Sequence, residues 1–155
     1  MFETNFFGAI AAMQAVIPVM QQQGSGTVIN ISSVAGHIPL AFSAAYSATK
    51  FAMNAIGKAA GVELASSNIH VMTVCPGYVA TNFAENAVKG TEVKTVRPAS
   101  QKGITADRVA RATLEGYGKR KREVVVPWYM HIPIKLYQLL PSVVEVAMIK
   151  MAASK

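Results

Sequence analysis

The sequence predicts an α/β protein with a parallel sheet of about three strands flanked by helices. Two observations carry this. Three short apolar runs, Thr27 to Ser32, Ile69 to Cys75 and Val124 to Val126, read as strands. The first two are near-continuously apolar, as expected of parallel strands covered on both faces. Between and before these runs lie longer segments with helical recurrence, so strand and helix alternate along the chain.

Residues 1 to about 22 form the first predicted helix. Phe7, Ile10, Met13, Ile17 and Met20 recur at helical spacing, and Pro18 is expected to bend or shorten it. Gly24-Ser25-Gly26 is a turn into the first strand. A loop from Val34 to Phe42 follows, with His37 read as a surface side chain. Ser43 is the candidate cap of a long helix to about Ala65, which Gly57 and Gly61 weaken. Cys75 ends the second strand as a buried, inert thiol. Residues 82–102 are polar and lack clear periodicity. Thr105 caps a further helix to about Tyr117, and Pro127 stops the third strand. The chain divides into a main unit, 1–127, and an apolar, helical tail, 128–155, interrupted by Pro133 and Pro141.

A length of 155 residues suffices for one domain with a sizeable core. A single cysteine excludes an internal disulfide and gives no metal cluster, and no metal site is expected. The net charge of +7 owes much to Lys119, Arg120, Lys121 and Arg122. Without a binding motif or interleaved aromatics, this run reads as a solvated surface rather than a nucleic-acid site. No secretory signal is apparent, and a cytoplasmic location is expected. The tail has two readings. It packs over a pocket or subunit interface, or it lies on a membrane surface with Trp128 and Tyr129 at the boundary.

The chemistry concentrates between Ser33 and Lys50. Tyr46 and Lys50 are four residues apart, on one helix face. Ser33, just after a strand, can face that pair across a short loop. The three suit proton transfer to a carbonyl oxygen: Ser33 holds the oxygen, Tyr46 moves the proton, and Lys50 is expected to lower the Tyr46 pKa. A second Tyr-x-x-x-Lys, Tyr117 to Lys121, has Ile104 where the upstream Ser would be, and Gly118 between its members. A hydrolase with Ser33 as nucleophile fares badly. There is no G-x-S-x-G elbow, and neither His37 nor His70 has an evident carboxylate partner.

Ser, twelve residues, then Tyr-x-x-x-Lys after a strand ending N-I-S-S resembles the signature of the short-chain dehydrogenase/reductase family. Asn5 in TNFFG resembles the fourth member of that family's catalytic set. Pro76-Gly77 in CPGYVAT resembles the loop against the nicotinamide. The resemblance implies a Rossmann-like doubly wound parallel sheet, of which this is the C-terminal part. It further implies an NAD(P)-dependent oxidoreductase acting on a small carbonyl or alcohol substrate. Ser33, Tyr46, Lys50 and Asn5 would be catalytic, Asn5 through a water relay. Tyr46, Lys50, Pro76, Gly77, Val79 and Thr81 would touch the cofactor. Ser33, Phe42 and Phe83 would meet substrate, with Phe83 in a lid over residues 82–102. The family's glycine-rich turn and cofactor selector do not occur here, so the cofactor is NAD or NADP, with NADP slightly favoured. The chain is expected to be a fragment of roughly a hundred residues more, at about 30 residues per strand-helix unit. The full-length form would be a homodimer or homotetramer built through the first two helices. The alternative is a shortened, non-catalytic interaction or membrane-surface module.

Overall fold

A computed structural model of the chain describes residues 1–81 and 103–153. Phe83 and the expected lid lie outside the described residues. Strands β1 (Gly26–Ile31), β2 (Ile69–Pro76) and β3 (Glu123–Val126) form one parallel sheet in the order β1-β2-β3. Gly26 faces Ile69 and Ile31 faces Val74 across the first pair; Thr73 faces Glu123 and Pro76 faces Val126 across the second. Parallel neighbours need long crossovers. Helix α2 (Ala44–Glu63) lies in the first and α3 (Ala106–Gly118) in the second; α1 (Gly8–Gln23) precedes the sheet. The expected parallel α/β architecture is present.

β2 is the centre of the core because it is apolar on both faces. Ile69 and Val71 pack with Leu64 and Ala60 of the α2 side and Ile17 and Met20 of α1. Met72 and Val74, pointing the other way, pack with Val124 and Val126 and with Val109 and Ala112 of α3. Met72 and Val74 are fully buried. Each such side chain contributes about 1.5–3 kcal/mol relative to its exposed state.

β1 departs from expectation. Its sequence reads as covered on both faces, yet Ile29 is 38% and Ile31 54% exposed. They pair with Met72 and Val74 and so share the α3 face. Helix α3 packs over β2 and β3, and the hydropathy of β1 alone does not reveal that nothing described here covers its outer side.

Several punctuating residues act differently from their simplest reading. Pro18 lies inside α1 without ending it. The helix stops at Gly24, whose φ of 72° supplies the left-handed cap. A single π-helical stretch, Glu3–Phe7, leads into α1 and carries Asn5. Ser43 occupies the cap position of α2 but makes no side-chain capping bond, whereas Thr105 accepts from the Arg108 amide at 3.2 Å. Gly57 has a packing purpose: a Cβ there would overlap the Thr73 hydroxyl, so its absence lets α2 lie close to β2.

In the tail, a turn at Trp128–Met130 leads into α4 (His131–Leu139) and α5 (Pro141–Ala153). Pro133 falls in the first turn of α4 and Pro141 opens α5. At these positions a missing amide hydrogen costs no intrahelical bond, so both prolines begin helices rather than break them. Ile134, Tyr137 and Met148 dock the tail onto Val34, Ile38, Cys75 and Val125. No single described helix is long and apolar enough to cross a membrane. The two tail helices meet that criterion only together and are bent by 113°. The basic run 119–122 precedes β3 and Trp128 follows it, so they lie at opposite edges of the sheet. Four residues of strand separate them, about 13 Å.

Candidate active site

Ser33 follows β1 and opens a turn over Val34–Gly36. Its hydroxyl accepts from the Ala35 amide at 3.1 Å and donates to the Pro76 carbonyl at 3.4 Å. It thereby ties the carboxyl end of β1 to that of β2, the edge at which open α/β sheets bind ligands. Tyr46 and Lys50 come from the first two turns of α2. The Lys50 ammonium lies 5.8 Å from the Tyr46 ring centroid. A side-chain hydrogen bond joins Tyr46 to Ser33. The structure thus brings together the three residues singled out by spacing.

The electrostatics differ from the simple expectation. Burial pushes the Tyr46 phenol above its ordinary value, and the hydrogen bond with Ser33 pulls it back. Burial likewise pushes Lys50 below its ordinary value, because removing a cation from water disfavours the charged form. The expected lowering of Tyr46 by Lys50 is not the effect seen here: the Tyr46 pKa is raised, and Ser33 is what opposes the rise. The Lys50 ammonium instead donates to the Ile31 carbonyl at 3.0 Å. The Ser32 amide points to Val74 of β2, so the Ile31 carbonyl, on the same peptide unit, points to the open side of β1.

Asn5 and Lys50 line one groove of about 410 Å³ along that open side, with Met13, Asn30 and Met53. The Asn5 amide donates to Thr49 at 3.3 Å, and the Thr49 hydroxyl donates to the Tyr46 carbonyl at 2.7 Å. Asn5 therefore connects to the helix backbone carrying Tyr46 rather than directly to Lys50. Phe42 is 57% exposed on the loop before α2, with a left-handed φ of 61°. A bulky residue there costs about 1–2 kcal/mol, and such strain accumulates at ligand-facing loops.

The Gly77 amide bonds the Val126 carbonyl at 2.7 Å. Val79 bridges to Ile104, held by the Ala80 amide to the Ile104 carbonyl and the Ile104 amide to the Tyr78 carbonyl, both at 2.9 Å. The Thr81 amide donates to the Val79 carbonyl at 3.0 Å. Residues 76–81 thus form a pinned edge beside Ser33. Tyr117 is half-exposed at the end of α3, and Arg120 has a left-handed φ of 49°, so Tyr117 and Lys121 do not share a helix.

Three buried polar residues escaped the sequence reading. Ser47 accepts from the Leu40 amide at 3.0 Å, Thr49 links Asn5 to α2, and Asn54 donates to the Gly36 carbonyl at 2.9 Å. Asn54 was recoverable, since it continues the four-residue stripe Tyr46, Lys50, Asn54. His37 corrects two expectations. It is buried, not surface, and it has a carboxylate partner, Glu123, at 3.3 Å. The bonds of Ser33 run to Ala35, Pro76 and Tyr46, not to this pair, so no hydrolase arrangement results.

The family model for short chain dehydrogenase matches residues 1–92. A Danio rerio "Dehydrogenase/reductase SDR family member 7B" is 38% identical over 126 residues, covering 80% of this chain and 41% of that protein. A Drosophila melanogaster "Dehydrogenase/reductase SDR family protein 7-like" is 36% identical over 124 residues, covering 79% and 38%. The chain spans about two fifths of the length of these relatives. Among solved structures, a Sphingobium yanoikuyae short-chain dehydrogenase in complex with NADPH has a TM-score of 0.72 at 23% identity, covering 96% of this chain and 54% of that one. A Burkholderia phymatum short chain dehydrogenase/reductase in complex with NAD has a TM-score of 0.78 at 18% identity, covering 90% and 56%. The fold is shared with both, and by the family match over its first 92 residues the chain belongs to the short chain dehydrogenases.

Proposed function

We propose that this chain is the catalytic part of an NAD(P)-dependent oxidoreductase acting on a carbonyl or alcohol. The observation that supports this reading is the meeting of Ser33, Tyr46 and Lys50 at the carboxyl edge of the sheet. A nicotinamide cofactor, when bound, supplies or takes the hydride. The residues present fit its nicotinamide end. Lys50 and Asn5 line an open groove, and the Lys50 ammonium holds a strand-edge carbonyl that ribose hydroxyls would replace. Tyr46 would share this contact, with Pro76, Gly77, Val79 and Thr81 closing the edge beside it. NADP or NAD would serve.

Ser33 holds the substrate oxygen through its hydroxyl. Tyr46 gives that oxygen a proton during reduction and takes one during oxidation. Lys50 orients the ribose, and Asn5, through Thr49, fixes the turn of α2 beneath Tyr46. Phe42 faces the substrate at the mouth. Tyr46→Phe in the intact protein should lower NAD(P)H-dependent reduction of a ketone panel by about 10²–10⁴-fold. Unchanged turnover would overturn the assignment.

A second reading, a non-catalytic module on a lipid surface, is favoured by one observation. Trp128, Ile132, Leu139, Val143 and Ile149 are all more than half exposed on the tail. Co-sedimentation with phosphatidylcholine–phosphatidylserine vesicles, lost in Trp128→Ser/Leu139→Ser, supports it. Full recovery in the supernatant rejects it. The exposed Ala44, Ala45 and Ala48 of α2 suit close packing against a second copy in a homodimer or homotetramer.

A further inference from the structure

Asn54 is buried one turn beyond Lys50 on α2. Its Nδ2 donates to the Gly36 carbonyl at 2.9 Å. Gly36 closes the turn that Ser33 opens, and its own amide bonds the Ser33 carbonyl at 2.9 Å. The approach is close, because a Cβ at Gly36 would come within 2.6 Å of Asn54 Nδ2. A carbonyl oxygen accepts and never donates, so the Asn54 amide nitrogen must face Gly36 and its oxygen must face away. That oxygen meets Cys75, whose thiol donates to Asn54 Oδ1 at 3.7 Å. Burial pushes the Cys75 thiol up to about 12, so it keeps its proton near neutral pH.

We propose that Asn54 is a positioning residue: through Gly36 it holds the Ser33 hydroxyl against Tyr46, and Cys75 fixes which way its amide faces. The proposal rests on the catalytic reading of Ser33 and Tyr46. Asn54 and Tyr46 lie eight residues apart on one helix, about 12 Å at the helical rise. One rigid element thus carries both the phenol and the clamp on the turn of its hydroxyl partner. Two further bonds tie the same segment to α2. Ser32 Oγ donates to the Lys50 carbonyl at 3.3 Å, and Ser47 Oγ accepts from the Leu40 amide at 3.0 Å. These hold the segment at its two ends, and Asn54 holds the turn between them. Without Asn54 the buried Gly36 carbonyl loses this donor and carries a desolvation cost that favours a shifted turn. Ser33 then moves away from Tyr46, and the bond that draws the phenol toward the phenolate weakens.

The test is ultraviolet titration of Tyr46 in the intact protein, read as the difference from Tyr46→Phe, a measurement that needs no turnover. Asn54→Leu, of similar volume, should raise the Tyr46 midpoint, the direction in which Ser33→Ala moves it. In a Ser33→Ala background Asn54→Leu should add nothing, because the bond it acts through is already gone. NAD(P)H-dependent reduction should fall by up to about 10²-fold, as for a displaced catalytic group. The loss should lie in kcat, with the cofactor KM unchanged. Where Asn54→Leu does not fold, Cys75→Ala and Cys75→Ser carry the test. The first leaves Asn54 Oδ1 without its donor and should raise the midpoint; the second keeps a donor and should not. A midpoint that stays in place in folded Asn54→Leu, or in Cys75→Ala where that variant is used, overturns the proposal. So does an equal shift in the Ser33→Ala background. The expected titrations in a protein that reduces no ketone would support the clamp and overturn the oxidoreductase reading instead.

Discussion

Tyr46 is held in a protonated state by burial and drawn toward the phenolate by Ser33. The sign of a pH effect follows. Under the proposed function the phenolate would be the base in alcohol oxidation, so the rate should rise as Tyr46 ionises. Ser33→Ala removes the bond that favours the phenolate, and the Tyr46 pKa then rises further. The rising limb of the kcat/KM profile should move to higher pH, in addition to a loss of rate. A limb that stays in place, or moves down, would show that Ser33 does not set the Tyr46 proton. At this scale the sequence was informative about which residues meet, because a spacing of thirteen positions and one helical turn fix Ser33, Tyr46 and Lys50. It was uninformative about where the Lys50 ammonium goes. That depends on the Ile31 carbonyl, brought near only when β1 packs beside α2.

Elements meet through small contacts that hydropathy does not record. Gly36 is one of them. A Cβ there would come within 2.6 Å of the Lys50 carbonyl, so the turn after Ser33 rests directly on the backbone of α2. Gly36→Ala should cost about 1–3 kcal/mol as an overpacking substitution and displace Ser33 from Tyr46. Urea unfolding and turnover measured on the same sample check both effects. A stable but inactive variant would locate the contact in catalysis alone. The tail rests on Ile134, 3% exposed, in a cluster with Val34, Ile38 and Cys75. Ile134→Ala should cost about 2–5 kcal/mol and make the tail an early site of proteolysis, detectable by limited trypsin digestion at Lys135. An unchanged cleavage pattern would mean that Tyr137 and Met148 hold it unaided. The prolines of this segment teach a related lesson. Pro133 and Pro141 look like interruptions until helix starts are known, and each then falls where an amide hydrogen is dispensable.

For the whole molecule, the open side of β1 is the informative surface. Ile31→Asp in the 155-residue chain should change stability by no more than about 0.5 kcal/mol, as for an ordinary surface site. In the protein from its native source, a markedly larger loss of thermal stability is expected if further chain covers β1. Equal effects in the two would assign the exposed edge to the native molecule. Intact mass measured from the native source accompanies this comparison.

Strand and helix order, the Ser33–Tyr46–Lys50 set and the turn at Pro76-Gly77 were determined by the sequence alone. Each is a local pattern in which side-chain period, turn chemistry and spacing act over a few residues to a few turns. Only the tertiary structure decided that β1 is bare on one face, that burial raises the Tyr46 pKa with Ser33 rather than Lys50 opposing it, and that His37 is buried against Glu123 beside Cys75. The last of these joins residues 38 to 86 positions apart. Contacts of that range follow from how β1, β2 and β3 align in the sheet, and no spacing in the chain encodes them.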